Sequence, residues 1–172
     1  LMRCLDVRGM ALLNVLIALD IVSTVLAAAV PAALSFYAQA AVEYEAIRLI
    51  GELRHIQAVS RMTATPLSLF EGQIAWERVP RLRIHSGGYT VSHPYNGVVY
   101  AHTPLPLVSF KQETQKNMPI VFDRNGGVGE ASHNMTIRVY AVGCEEAVLR
   151  VVIDGAARIR LDRRAQGAAD EE

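Results

Sequence analysis

Cysteine is scarce in this sequence of 172 residues, which contains only Cys4 and Cys144. Two cysteines build neither a disulfide framework nor a metal cluster. A disulfide between them is not expected either, because a long apolar segment follows Cys4 and would place a membrane between the two thiols. Net charge is also missing: 17 basic side chains balance 17 acidic ones. No overall electrostatic field therefore favours nucleic acid or an acidic surface as a partner.

Signatures of common enzymes are absent as well. The sequence has no Gly-x-Ser-x-Gly, no phosphate-binding loop and no His-Glu-x-x-His. Residues 123–127, Asp-Arg-Asn-Gly-Gly, have a superficial likeness to a calcium loop, but they lack alternating oxygen ligands and a distal Glu, so we interpret them as a hairpin turn. The histidines show no metal-ligand spacing; they are His55, His85, His93, His102 and His133. We therefore predict no enzyme, no cofactor and no metal site.

One long apolar run is present near the N-terminus, at residues 12–33. Its only polar members are Asn14, Asp20, Ser23 and Thr24. A helix of about 22 residues rises about 33 Å, enough to cross the hydrocarbon layer of a membrane. The run is too long for an ordinary secretory signal, and no small-x-small cleavage site follows it. It predicts a membrane-spanning helix.

The charges on either side of this run predict its orientation. Residues 1–9 carry Arg3 and Arg8 against Asp6, whereas the first charges after the run are acidic. By the positive-inside rule, the N-terminus stays in the cytoplasm and the rest of the chain lies outside.

The helical pattern continues through residues 34–63 as an amphipathic helix. Apolar residues recur there at spacings of three and four, which places them on one face: Val42, Ala46, Leu49, Ile50, Leu53, Ile56, Val59 and Met62. The charged residues fall mostly elsewhere: Glu43, Glu45, Arg48, Glu52, Arg54 and Arg61. Pro31 is a candidate for a bend, and Pro66 ends the helical pattern.

Residues 64–164 have the pattern of short strands and turns, and residues 165–172 form a small acidic tail. We predict strands at 67–70, 74–79, 82–85, 89–92, 98–100, 120–122, 135–142, 148–153 and 158–161. Ser86-Gly87-Gly88 reads as a hairpin turn, and residues 94–97, Pro-Tyr-Asn-Gly, as another. The sequence thus predicts an α+β fold, in which a long N-terminal helix packs on a small antiparallel β-sheet domain.

The N-terminal segment resembles that of the type IV pilin and pseudopilin family. The resemblance rests on a short basic leader that ends in Arg8-Gly9, on Met10-Ala11-Leu12-Leu13, and on Pro31 inside the apolar helix, where pilins often carry proline. Residues 122–127, 136–139 and 155–160 resemble the β domains of minor pilins and competence pseudopilins more weakly.

The resemblance implies a structural subunit. A prepilin peptidase would cut between Gly9 and Met10 and methylate the new amine on Met10. The helix of residues 10–33 would first anchor the chain in lipid, in the bacterial cytoplasmic membrane. It would then pack beside other pilin or pseudopilin subunits in a type IV pilus, type II secretion or competence filament at the cell surface. Its many small residues suit close helix packing.

The sequence departs from the family at Asn14. Family members usually carry Glu as the fifth mature residue, where its carboxylate neutralises the terminal amine of a neighbour. An amide accepts a hydrogen bond from that amine but does not cancel its charge. This departure implies a tip-like or initiating minor subunit, because subunits without the Glu are known at pilus tips. One alternative is that Asp20 supplies the counter-charge at a different stagger, about 9 Å further along the axis. Another is that Asp20 is protonated and is tolerated among neighbouring helices.

Two further alternatives stay open from the sequence. Arg158, Arg160, Arg163 and Arg164 crowd the C-terminal end and could bind DNA weakly, as basic strands of some minor pilins do, or could simply protect a sheet edge with charge. The whole chain could instead be a single-span, membrane-anchored extracytoplasmic binding or sensor domain. Such a protein would keep residues 1–9.

Overall fold

The apolar and amphipathic parts of the N-terminal sequence form a single helix, α1, over Cys4–Thr63. It belongs to a computed structural model that describes residues 4–63, 79–93, 97–114, 118–122 and 134–163. Pro31 lies inside α1, which continues on both sides of it. The chain divides into two compact units, Leu1–Tyr37 and Ala38–Glu172. The second unit therefore contains the last 26 or so residues of α1 together with every described strand.

The strands of the second unit form two antiparallel sheets of four strands each. The first sheet has the order β3-β2-β1-β5, and its strands are β1 (Arg81–His85), β2 (Gly88–His93), β3 (Gly97–His102) and β5 (Ile120–Val121). The second has the order β4-β6-β7-β8, with β4 (Val108–Gln112), β6 (Met135–Ala141), β7 (Cys144–Ile153) and β8 (Ile159–Asp162). The predicted α+β class, a long N-terminal helix on antiparallel sheet, is confirmed.

The β1–β2 hairpin shows why its turn needs glycine. His85 pairs with Gly88 at the end of the hairpin, and Gly88 has a φ of +131°, in a region that side chains disfavour. A Cβ atom on Gly88 would lie 1.9 Å from the carbonyl oxygen of His102 on β3. Only glycine permits this close approach of two strands, and the predicted turn at Ser86-Gly87-Gly88 is confirmed.

The core of the second unit forms where one stripe of α1 meets the inner faces of the sheets. The stripe consists of Ala38, Ala41, Val42, Ala46, Leu49, Leu53 and Ile56, all buried. Alternate residues of β6 face it, as their buried and half-buried pattern shows. The predicted helix face is confirmed for most of its members but wrong at the end: Val59 is half-buried and Met62 is 86% exposed. The stripe ends about a turn earlier than its spacing predicted.

Several strand predictions were inexact, and one strand was missed. β4 was not predicted, although its residues alternate: Val108, Phe110 and Gln112 point into the core, while Ser109 and Lys111 point outward. β7 begins at Cys144 rather than at residue 148. The strand predicted at 67–70, most of that at 74–79 and the turn at 94–97 except Gly97 lie outside the described residues. Val79 is described, is buried and is not in a strand.

Candidate functional site

Residues Met10–Tyr37 of α1 present apolar side chains on every side of the helix. All of the large apolar side chains in this segment are between 42% and 74% exposed. By length and composition, this is the one helix among the described residues that could cross a membrane, and none of its most apolar window is buried. A buried helix of a globular core is thereby excluded as the explanation of its composition.

The residues singled out from the N-terminal motif all lie on this helix. Gly9 and Met10 are in helical backbone, and the side chains of residues 4–9 are not described. Asn14 and Asp20 are exposed. Pro31 is exposed within the helix, and the bend predicted there stays a prediction.

The second unit contains a polar cluster that runs from the surface into the core. We call it the Glu45 cluster; it consists of exposed Arg48 and Tyr100, buried His102 and Glu45, and the backbone N–H of Leu105. Glu45 is completely buried, although its charge had placed it outside the apolar face of the helix. Its Oε2 lies 2.7 Å from Nε2 of His102, and its Oε1 accepts a hydrogen bond of 2.9 Å from the N–H of Leu105. Both carboxylate oxygens therefore have donors, which offsets the cost of burying a charge.

The side chains of the Glu45 cluster form a chain of hydrogen bonds that begins at Arg48 and ends at Glu45. Arg48 donates from Nη2 to the hydroxyl oxygen of Tyr100, which leaves the hydroxyl proton of Tyr100 free to point at Nδ1 of His102, 3.5 Å away. The proton of His102 then sits on Nε2 and is donated to Glu45. This arrangement links the charge of Arg48, at the surface, to the charge of Glu45, in the core, and joins α1 to β3.

Aromatic rings enclose the cluster on its inner side. The ring of Tyr89 lies 4.8 Å from that of His102 and 5.8 Å from that of Phe110, the second in an edge-on arrangement. Burial, and after it the negative charge of Glu52, raises the pKa of Tyr89 to about 12. Because His102 is buried between Glu45 and these rings, the acid–histidine pair is closed to a substrate and acts as a structural contact.

The C-terminal arginines do not form one free cationic surface. Nε of Arg158 lies 2.8 Å from Oδ2 of Asp154, and Nη2 of Arg163 lies 2.6 Å from Oε1 of Glu43 on α1. Arg160 is exposed on β8, with no carboxylate within salt-bridge distance among the described residues. Arg164 lies outside the described residues. Two of the four positive charges are thus compensated locally.

The turn before β8 is organised by Asp154. Its Oδ1 accepts hydrogen bonds from the N–H groups of Arg158 and Ala156, at 2.9 and 3.0 Å. The bond from the N–H of Arg158 is the main cause that holds the pKa of Asp154 below its ordinary value. Ala157 adopts a φ of +56° in this turn, and its carbonyl oxygen accepts a hydrogen bond from Gln57 of α1.

No cofactor or metal site emerges from the part of the chain that the structure describes. There, no three His, Cys, Asp or Glu side chains are grouped to hold a metal ion. An open groove of about 200 Å³ lies between α1 and β7, lined by Gln39, Val42, Glu43, Ala147, Val148, Leu149 and Arg163. Its charged groups are already bonded to each other. The residues 123–127, interpreted as a turn, lie outside the described residues.

Sequence reasoning missed the Glu45 cluster, although one signal for Glu45 was present. Val42, Glu45, Ala46 and Leu49 follow the i, i+3, i+4, i+7 spacing of a buried helix face. The helical spacing alone predicts that Glu45 is buried. We instead predicted an exposed Glu45 because it is charged, and that prediction was wrong. Its partner His102 is 57 residues away, and nothing local in the sequence identifies it.

The chain matches no protein-family model and no curated protein sequence. Two crystal structures of the type IV minor pilin FimU from Pseudomonas aeruginosa, strain PAO1, are similar to it. For the form in space group P65 the TM-score is 0.42 at 16% identity, over 66% of this chain and 89% of that chain. For the form in space group P21 the TM-score is 0.44 at 16% identity, over 70% and 90%. A likeness of this extent assigns no function.

Proposed function

We propose that this chain is a minor pilin or pseudopilin, a structural subunit of a type IV pilus, a type II secretion pseudopilus or a competence pseudopilus for DNA uptake. The observation that carries the proposal is the exposure of the apolar helix over Met10–Tyr37. Water does not stabilise a helix that is apolar all round, so this segment requires lipid or other helices as its surroundings. A filament subunit uses both, lipid before assembly and neighbouring helices after it.

The continuity of α1 supports a mechanical role for the helix. The same helix that exposes its apolar residues before Tyr37 supplies the buried stripe of the β domain after Ala38. No run of glycine or polar residues separates the two parts. A β domain that follows an apolar helix in this way suits a filament subunit whose helix packs with those of its neighbours.

Processing at the N-terminus is the second part of the proposal. A prepilin peptidase in the cytoplasmic membrane cuts between Gly9 and Met10 and methylates the amine of Met10, and other pilin subunits then pack against the mature helix. Gly9 and Met10 are in helical backbone in the free chain. Glycine has a low helix propensity, which favours the local unwinding that a protease needs at this point.

Asn14 supports a position at the tip of the filament, or in its initiating complex. A tip subunit has no neighbour above it whose terminal amine must be neutralised, so an amide suffices there. A shaft subunit with Asn14 would leave a positive charge uncompensated in an apolar surrounding. Replacing Asn14 with Glu tests this point, because a change in the subunit's position along the filament is expected.

The mass of the membrane-extracted protein tests the proposal as a whole. In a host that carries a prepilin peptidase, we expect a chain that begins at Met10 with one added methyl group. In the same host without the peptidase, residues 1–9 should remain. The variant Gly9→Val should also retain them, whereas the neighbouring control Ala11→Val should be processed. A wild-type chain with its leader intact in the first host would favour the single-span sensor instead.

A further inference from the structure

Asp20 lies much deeper in the apolar segment than the other strongly polar residue. From the start of the run at Leu12, Asn14 is about 3 Å along the helix axis and Asp20 about 12 Å, at about 1.5 Å per residue. The midpoint of residues 12–33 is at about 16 Å on the same scale. Asn14 therefore reaches the membrane interface, while Asp20 is held within about 4 Å of the bilayer midplane.

Asp20 has no partner within the described part of the chain, whereas nearby hydroxyl groups do. Thr24 Oγ1 donates a 2.8 Å hydrogen bond to the carbonyl oxygen of Ile21, and Ser35 Oγ donates one of 2.9 Å to that of Ala32. No hydrogen bond or ion pair engages Asp20 among the described residues. No Lys, Arg or His occurs between Met10 and Arg48. The cation that would compensate Asp20 must come from another chain.

We propose that the face of α1 around Asp20 binds a transmembrane helix of a different protein, one that carries an amine or guanidinium group near the bilayer midplane. The inference rests on the membrane placement proposed above. A charged residue at this depth costs about 2.5–3.5 kcal/mol on insertion scales. A partner cation at the same depth offsets that cost, and it gains more there than at the surface because no water competes with it.

The residues beside Asp20 allow a second helix to come close. Ser23, Thr24 and Ala27 lie three, four and seven residues after Asp20, and so share its face of the helix. All three side chains are small, and all three are exposed. Small residues next to a polar one are the usual composition of a contact between helices in lipid.

A second copy of this chain does not fit the same face. Two parallel copies at the same depth would bring one Asp20 beside the other, and neither has a Lys, Arg or His side chain between Met10 and Arg48. A processed copy would have to be shifted by about 15 Å along the axis to bring the amine of its Met10 to Asp20. Like charges at this depth repel strongly. Charge complementarity therefore selects a helix of different sequence with a basic group at its centre.

The test uses the full, unprocessed chain in lipid vesicles, with a donor fluorophore on Cys4 in a Cys144→Ser background. The probe is a synthetic Leu/Ala transmembrane helix with a single lysine at its centre and an acceptor fluorophore. The matched control peptide has leucine in place of that lysine. Energy transfer as a function of peptide density gives the association constant. Resistance to alkaline extraction shows whether the chain is inserted.

We expect the chain to bind the lysine peptide about threefold to thirtyfold more tightly than the leucine peptide. Asp20→Leu should abolish that preference, and Asp20→Asn should retain only part of it. Ser23→Ala, on the same face but without charge, and Asn14→Leu, near the interface, should each change it by less than about twofold.

Three results would overturn the inference. Equal binding of the two peptides by the inserted wild-type chain would contradict it, as would an unchanged lysine preference in Asp20→Leu. Self-association of the chain that depends on Asp20 would replace the proposed partner by a second copy. In each of these cases the proposed pilin function stands. If the chain does not insert into vesicles at all, both the inference and the membrane placement fail.

Discussion

The two parts of α1 have the same secondary structure, yet they differ in composition and in what covers them. Before Tyr37 the large apolar side chains are exposed on every side of the helix. From Ala38 onward, one stripe is buried against the sheets and the remaining sides carry charge. Residues Met10–Tyr37 therefore need lipid or another chain to cover them, whereas the part of α1 from Ala38 onward completes the core of the second unit.

The largest expected effect separates two leucines of the same helix. Leu49 is fully buried and Leu16 is 57% exposed. Leu49→Ala leaves a cavity in the core and should lower the free energy of unfolding of the β domain by about 2–5 kcal/mol. Leu16→Ala should change it by less than about 0.5 kcal/mol. Urea unfolding of the full chain in detergent micelles, followed by near-UV circular dichroism, measures both.

Similar losses of unfolding free energy in these two variants would contradict this division of α1, because residues before Tyr37 would then belong to the same cooperative core. Each variant should also be tested for filament incorporation. There we expect the order to reverse, since Leu16 packs against neighbouring subunits in the proposed filament and Leu49 does not.

The next effect concerns the buried carboxylate that distinguishes the second part of the helix. Glu45→Gln keeps an acceptor for Leu105 but presents an amide N–H₂ to Nε2 of His102, which accepts it only if the proton of His102 moves to Nδ1. The charge-assisted hydrogen bonds of the carboxylate are replaced by weaker neutral ones. We expect a loss of about 1–3 kcal/mol in the free energy of unfolding. The measurement is the same urea unfolding experiment.

Glu43→Gln is the matched control, two residues earlier on the same helix. Its ion pair with Arg163 lies at the surface, with both side chains about half exposed or more, and its removal should cost less than about 1 kcal/mol. Equal costs for the two substitutions would mean that burial of Glu45 contributes nothing beyond a surface contact.

The smallest expected effect is on DNA retention by the C-terminal arginines. Arg158 is compensated by Asp154, and Arg163 by Glu43, which favours charge protection of the sheet edge over phosphate binding. Arg158→Ala and Arg160→Ala should therefore leave the retention of duplex DNA in a gel-shift assay unchanged within about twofold at physiological salt. If Arg160→Ala alone lowered the retention of DNA tenfold or more, the second unit would bind DNA in addition to its structural role.

Much of the fold followed from local pattern, and particular residues show where the pattern stopped being sufficient. The helix, the Ser86-Gly87-Gly88 hairpin and most of the strands were predicted, because apolar periodicity and turn residues act over a few positions. β4 was missed although its inward and outward residues alternate, because so short a run is a weak signal by itself. Its pairing with β6, in which Phe110 lies opposite Val139, makes it a strand. Periodicity also does not predict that the strands form two sheets, because this depends on which strands pair with each other.

The candidate site divides in the same way. The N-terminal residues Gly9, Met10, Asn14 and Asp20 were singled out from the sequence alone, and the roles proposed for them stay predictions. The Glu45 cluster was not found, because its members approach each other only when β3 packs against α1. The compensation of Arg163 by Glu43, residues 120 positions apart, was hidden for the same reason.

Composition and local pattern were sufficient to predict the long apolar helix and the α+β order of the chain. Only the tertiary structure decided that Glu45 is buried, that His102 and Leu105 satisfy it, and that two of the C-terminal arginines are already paired. A charge enters a core only when donors from distant parts of the chain replace its water, and those donors are assembled by folding.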